Sequence, residues 1–244
     1  MRRNLSTFPD SQVFLNYPFD SGFNDLERAL HFAIIAAGLL PICAKDLSAP
    51  DSPRLEMLVK AIQSCRYSAH DLSRATGEGP NNYARMNMPI EMGMALFYAI
   101  ATQRIEHRCA FLLPTQTEYR LFASDLAGLD PLYHNNDSNQ LLSAVFNWLR
   151  GVLPAPIAPP MPTVEVVQAY GTFCELSQDL LGSGENGAPS HEEIQELMYQ
   201  SCADQGWWEW RKSRMVSQEF PVLPLAWRTT RSVGDEIESN QRSR

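Results

Sequence analysis

The chain has 244 residues, 44% of them hydrophobic and 20% charged, enough for a sizeable buried core and a smaller second one. Twenty Lys and Arg stand against 28 Asp and Glu, for a formal charge of −8. No basic stripe interrupts that balance, which argues against a nucleic acid or an anionic membrane as the main partner. The five cysteines (Cys43, Cys65, Cys109, Cys174, Cys202) are widely spaced, form no CxxC pair and suggest no metal cluster, so buried thiols in a reducing compartment are expected. The two N-terminal arginines precede no apolar core of the kind a signal peptide has. The longest apolar stretch, Ala33 to Cys43, is interrupted by Gly38 and Pro41 and is too short to span a bilayer. A cytoplasmic location is expected.

Strand and helix signals alternate from residue 12 to about 150. Val13-Phe14-Leu15 predicts a buried strand ending at Asn16, and Leu26, Leu30, Ala33, Ile34 and Ala37 a helix stopped by Gly38. Leu39 to Cys43 predicts a second strand. Leu55, Leu58, Val59 and Ile62 predict a helix opened by Asp51-Ser52-Pro53, where an acid or hydroxyl can cap and proline can start it. Tyr67 to Asp71 reads as a third strand, and a Gly- and Asn-rich loop from Arg74 to Arg85 follows it. Pro89 and the spacing of Ile90, Met94, Phe97 and Ala101 predict a helix burying that face, with Glu91 in its opening turn. Cys109 to Leu113 is a fourth strand, Phe122 to Leu126 a short helix, Pro131 to His134 a fifth strand. Leu141, Leu142, Val145, Phe146 and Leu149 mark an amphipathic helix.

Such alternation implies parallel strands joined by crossover helices, a five-stranded flavodoxin-like α/β sheet with helices on both faces over residues 12–150. Residues 151–163 are proline-rich and are expected to form an extended linker. Residues 164–228 are expected to be a small helical, tryptophan-rich region. Its Trp207-Trp208-Glu209-Trp210 run is assigned first to a core and second to self-association or a protein partner. Residues 229–244 are expected to be a disordered tail.

Open parallel sheets bind ligands at the carboxyl ends of their strands, where strand order reverses. In the order 2-1-3-4-5, that point gathers Asn16, Tyr17 and Phe19 after the first strand, Asp71, Ser73 and Arg74 after the third, and Asn87 and Glu91 on the following helix. A carboxylate held against a ribose C1′ can stabilise or trap an oxocarbenium ion, the chemistry of N-glycosidic cleavage. Asn and Asp suit ribose hydroxyls, Tyr17 or Phe19 a base, and Arg74 a phosphate. Bland roles remain open for each: Asp71 as a loop cap, Tyr17 as core, Arg74 as a solvated charge, His70 as a satisfied strand-end residue, and Glu91 as an acid favoured by a helix dipole. The chain contains no GxGxxG, P-loop or G-x-S-x-G motif.

Val13-Phe14-Leu15-Asn16-Tyr17, with Pro18-Phe19-Asp20 beyond it, resembles the first strand of bacterial Toll/interleukin-1 receptor (TIR)-like domains. Asp71-Leu72-Ser73-Arg74 and Asn87-Met88-Pro89-Ile90-Glu91-Met92-Gly93 also resemble nucleoside 2-deoxyribosyltransferases, which keep a Glu-x-Gly at the start of the equivalent helix. The likeness spans roughly residues 12–150. It implies a catalytic Glu91, with Asn16, Asp71, Ser73 and Asn87 shaping a nucleotide pocket. It also implies NAD⁺ as a substrate rather than a cofactor, and a part in antiviral defence or signalling. Arg85-Met86-Asn87 stands where NAD⁺-cleaving TIR domains often carry Ser or Cys and aromatic residues.

Overall fold

A computed structural model of the chain describes residues 12–47, 53–75, 83–103, 106–116, 119, 123–155, 157–182 and 190–208. Five strands, β1 (Gln12–Asn16), β2 (Leu40–Cys43), β3 (Tyr67–Asp71), β4 (Arg108–Leu113) and β5 (Leu132–Tyr133), form one parallel sheet in the order β2-β1-β3-β4-β5. Between and beyond them run α1 (Asn24–Ala36), α2 (Arg54–Ser64), α3 (Asn87–Ala101), α4 (Ser138–Val152), α5 (Thr163–Gly182) and α6 (His191–Asp204). This is the expected flavodoxin-like α/β architecture. Short 3-10 turns cover Ser21–Phe23 and Ser124–Leu126, the latter where a short helix was expected from Phe122; Phe122 itself lies outside the described residues.

Compactness divides the described residues into two units, one within residues 12–18 and 40–112, the other within residues 19–39 and 113–208. In the first unit, β1 to β4 pair in register Phe14↔Ser68, Asn16↔His70 and His70↔Phe111. Side chains alternate across a sheet, so Phe14, Asn16, Ser68 and His70 share one face. Phe14 joins Ala44, Leu47, Leu58, Ala61, Ile62, Cys65 and Ala95 in the core that α2 and α3 cover. Deeper along that face, His107 Nδ1 donates to Cys65 O at 2.9 Å, which leaves Nε2 to accept from the Ser68 hydroxyl at 2.7 Å. Both side chains are fully buried, and burial holds the imidazole below its usual ionisation range.

α2 opens after Pro53, which is the cap residue and not the first helical one; Asp51 and Ser52 lie outside the described residues. All five cysteines are free thiols. Burial pushes the Cys43 and Cys65 thiols up to about 12, the inert form of the side chain.

The second unit packs α1 against α4 and α6, and α5 against α4 and α6. α1 is buried on nearly every side, from Leu26 and Glu27 through Ala29 to Ala36. It ends as the sequence predicts: Gly38 takes φ 71°, its N–H bonds Ile35 O at 2.8 Å, and Leu39 N–H bonds Ile34 O at 3.0 Å. A Cβ there would be strained, so glycine closes the helix. Phe32 meets the Tyr170 ring edge-on and the Phe173 ring at a tilt, and the Tyr170 hydroxyl donates to Asp25 O at 3.2 Å. Between α4 and α5 the proline-rich segment turns at Pro154 and buries Ile157 and Met161. Trp207 is buried and Trp208 donates its Nε1–H to Ile35 O at 3.3 Å, so these two tryptophans pack on this unit's helices. Trp210 and residues 229–244 lie outside the described set. No helix among the described residues is long and apolar enough to cross a membrane.

Candidate functional site

Three segments far apart in sequence meet at the carboxyl ends of β1 and β3. Asn16, the last residue of β1, donates one amide hydrogen to Met88 O at 2.9 Å, in the first turn of α3. The other points to His70 Nδ1 at 3.0 Å, one strand across. A carbonyl can only accept, so the atom facing Met88 O is the amide nitrogen, and the same nitrogen must donate to His70. The imidazole therefore carries its proton on Nε2. That Nε2 is buried with no hydrogen-bond partner among the described residues. Burial and the neighbouring His107 lower the His70 ionisation to about 3, so the ring is neutral at ordinary pH. His70 thus works as a buried acceptor that orients Asn16. It was expected only as a strand-end residue, and the pairing becomes visible only when register puts 16 opposite 70.

The tie through Met88 sets the start of α3, and so the height of Glu91. α3 begins at Asn87, so its first turn holds no acid and Glu91 opens the second. This corrects the expectation of an opening-turn carboxylate. The helix dipole acts mainly within the first turn, which weakens the bland account of this glutamate. Pro89 lies among the first four residues, whose N–H groups lack intrahelical partners, so it is tolerated as expected.

The buried face of α3 is also not the expected one. Met88, Glu91, Met92, Ala95 and Ala99 point inward, whereas Ile90 and Phe97 are 54% and 74% exposed. The helix is apolar all round, so periodicity alone cannot select a face. The Asn16 bond to Met88 and the small Ala95 and Ala99, which permit close approach to the sheet, select it.

Glu91 is 6% exposed, and among the described residues its carboxylate makes no hydrogen bond. Desolvation raises its ionisation from 4.5 to about 7, while Arg54 at the start of α2 pulls the other way. Perturbed carboxyls of this kind cluster at functional sites and also occur in structural networks, so Glu91 is a candidate for chemistry. Arg54 went unpredicted, because nothing in its sequence surroundings ties it to residue 91.

The remaining expected residues fall at different places. Asp71 is fully buried; its Oδ1 accepts from Ser73 N at 2.8 Å, which folds the chain back at the end of β3. Arg74 is half-buried, and its carbonyl accepts from Arg85 N at 3.0 Å, closing the loop between them. Residues 76–82 of that loop lie outside the described set. Asn87 is exposed at the first position of α3. Tyr17 is 2% exposed, with Lys45 Nζ 5.6 Å from its ring centroid, so one ring face is covered by a cation from the end of β2. Lys45 was not anticipated, although its place just beyond a strand's carboxyl end is the signal that points to such residues. Phe19 is 46% exposed and belongs to the second unit.

The arrangement gathers Asn16, His70 and the start of α3 at the β1/β3 switch point, with the desolvated Glu91 carboxyl one turn further along the helix. Comparison of the chain with protein-family models, with curated proteins and with solved structures finds no match in any of the three.

Proposed function

We propose that the chain is a TIR-like nucleotide N-glycosidase, with NAD⁺ as the favoured substrate and Glu91 as the catalytic carboxylate. The observation that carries this reading is the buried Glu91 carboxyl in the second turn of α3, at the point where the sheet order reverses between β1 and β3. Nicotinamide leaves NAD⁺ as a neutral base, so scission of the ribosyl C1′–N bond needs no proton donor. It does need a negative charge against the developing oxocarbenium ion. An ionised Glu91 supplies that charge, or bonds C1′ until water displaces it. Hydrolysis then yields ADP-ribose, nicotinamide and one proton, and cyclisation replaces water with a nucleophile from the same molecule. The likeness of Asn87 to Gly93 to the glutamate-bearing helix of TIR-like and deoxyribosyltransferase chains supports the same residue.

The test is incubation of the full chain with NAD⁺, deoxynucleosides and nucleotides in separate reactions, following release of the base. Wild type releases nicotinamide from NAD⁺, and Glu91→Gln, nearly isosteric but uncharged, is slower by at least about 100-fold. The ionised form is the active one, so the rate rises with pH through about 7. A Gln variant as fast as wild type refutes the mechanism. Base exchange on deoxynucleosides without nicotinamide release assigns the transferase class instead, and saturable nucleotide binding without turnover assigns a binding module.

A further inference from the structure

Two helices of the second unit meet in part through polar side chains, where packed helix faces are ordinarily apolar. α6 packs on α1. From α1 come Glu27 and His31, 8% and 1% exposed, and from α6 come His191 and Gln195. Residues four apart are neighbours on one helix face, so each helix offers the other a pair of polar groups. The two imidazoles stand edge to face, with ring centroids 5.1 Å apart.

The contacts of this cluster fix where its lone pairs point. Glu27 Oε1 lies 3.4 Å from His191 Nδ1. A carboxylate there keeps the imidazole proton on Nδ1 and leaves the lone pair of the neutral ring on Nε2. Gln195 stands 3.0 Å from that Nε2, so it faces it with its amide nitrogen, a donor. The same nitrogen lies 3.1 Å from His31 Nδ1, which therefore accepts as well. Two imidazole lone pairs thus converge on one point. A ring nitrogen of His31 and one of His191 lie within 4.8 Å of each other. Nitrogens bound to one tetrahedral zinc ion at ~2.0–2.1 Å stand about 3.4 Å apart, so a small turn of the two rings brings both onto a single cation.

We propose that these four residues form a site for a divalent cation of the zinc class, which ties α6 to α1. His31 Nδ1 and His191 Nε2 are its nitrogen ligands. The Gln195 amide turns about its last bond and presents Oε1, an acceptor, in place of the nitrogen. Glu27 holds His191 from behind, as a carboxylate does for a metal-bound imidazole: it fixes the tautomer, orients the ring and raises its basicity. Imidazole nitrogens suit Zn²⁺, Cu²⁺ and Ni²⁺, whereas Mg²⁺ and Ca²⁺ ask for oxygen ligands. Packing alone calls for none of these groups, and burying them is unfavourable unless each is paired or bound. The inference stands apart from the chemistry assigned to Glu91.

The experiment is calorimetric titration of the full chain, stripped of metal by a chelator and kept reduced, with zinc chloride at neutral pH. Wild type takes up one ion per chain with a dissociation constant of about 10 μM or below. His191→Gln weakens binding at least about 100-fold, and Glu27→Gln, which leaves both nitrogen ligands in place, about 10-fold or more. His191 is half-buried at the first position of α6, so far-UV circular dichroism of the ion-free variant stays that of wild type. A second measurement reads the ligands in the unaltered chain: cobalt(II) in this site absorbs weakly in the visible and shows no thiolate charge-transfer band in the near ultraviolet. A wild-type chain that binds no zinc at about 100 μM overturns the site, as does binding indifferent to His191→Gln. A strong thiolate band overturns the ligand set, since it puts the ion on cysteine.

Discussion

Replacing Glu91 by Gln sets stability against pH in a way that tests the site without any substrate. In the folded chain the carboxyl ionises near 7 rather than 4.5, mainly because burial disfavours its charge. Between those values the folded state holds a proton that the unfolded state has lost. Stability therefore falls as pH rises through that window, and the full penalty, about 3 kcal/mol, is present only above the folded value. Gln cannot ionise, so the variant escapes the penalty. Any change in packing or hydrogen bonding that the amide brings is the same at every pH, so comparison at two pH values cancels it. Relative to wild type, Glu91→Gln gains about 2.5 kcal/mol more at pH 8 than at pH 5. In urea unfolding followed by tryptophan fluorescence, that corresponds to a relative midpoint shift of about 1 M. A variant whose stability difference from wild type is the same at both pH values would show that Glu91 is not desolvated, and the argument from burial would fall with it.

Three further changes probe the surroundings. Asn16→Ala leaves both Met88 O and His70 Nδ1 without their donor, so chemical denaturation is expected to show a loss of about 2–3 kcal/mol, and base release falls with it. His70 has the opposite pH signature to Glu91: the unfolded chain takes up a proton near 6.5 and the folded ring only near 3, so its contribution is present above 6.5 and lost as pH falls. Placing His70→Gln in the Glu91→Gln background should flatten the acid limb of the urea midpoint between those values. Trp208→Phe removes the donor to Ile35 O but keeps a ring against Tyr199, and calorimetry should record a loss of about 1 kcal/mol, or roughly 2–4 °C in the melting temperature.

What was legible in the chain follows from how local each signal is. β1, β2, β3 and β4 were readable to within a residue, because a short apolar run bounded by turn residues is a local pattern. Gly38 marked the end of α1 for an equally local reason. α4 and α6 begin at side-chain caps, Asp137 and Ser190, whereas Met86 at the head of α3 offers none. The first turn of α3 is tied at Met88 to Asn16, 72 positions earlier, and the turn occupied by Glu91 depends on it. The buried face of α3 was illegible for the same reason: with apolar residues on every side, only the sheet it meets can choose. Glu91 itself was legible as a carboxylate near the right strand ends. Arg54, whose charge acts on it, was not, since packing brings it near, and the pairing of His70 with Asn16 appears only with the strand register.

The hydrogen-bond economy of Asn16 also narrows what a ligand there can be. Both amide hydrogens are already engaged within the protein, one by Met88 and one by His70. A ligand reaching this side chain meets it through Oδ1 alone, and Oδ1 can only accept. Phosphate and carboxylate oxygens gain nothing from such an atom, whereas a sugar hydroxyl or a base N–H does. For the nucleotide proposed above, the end of the first strand would thereby offer an acceptor to the sugar or base and nothing to the anionic half.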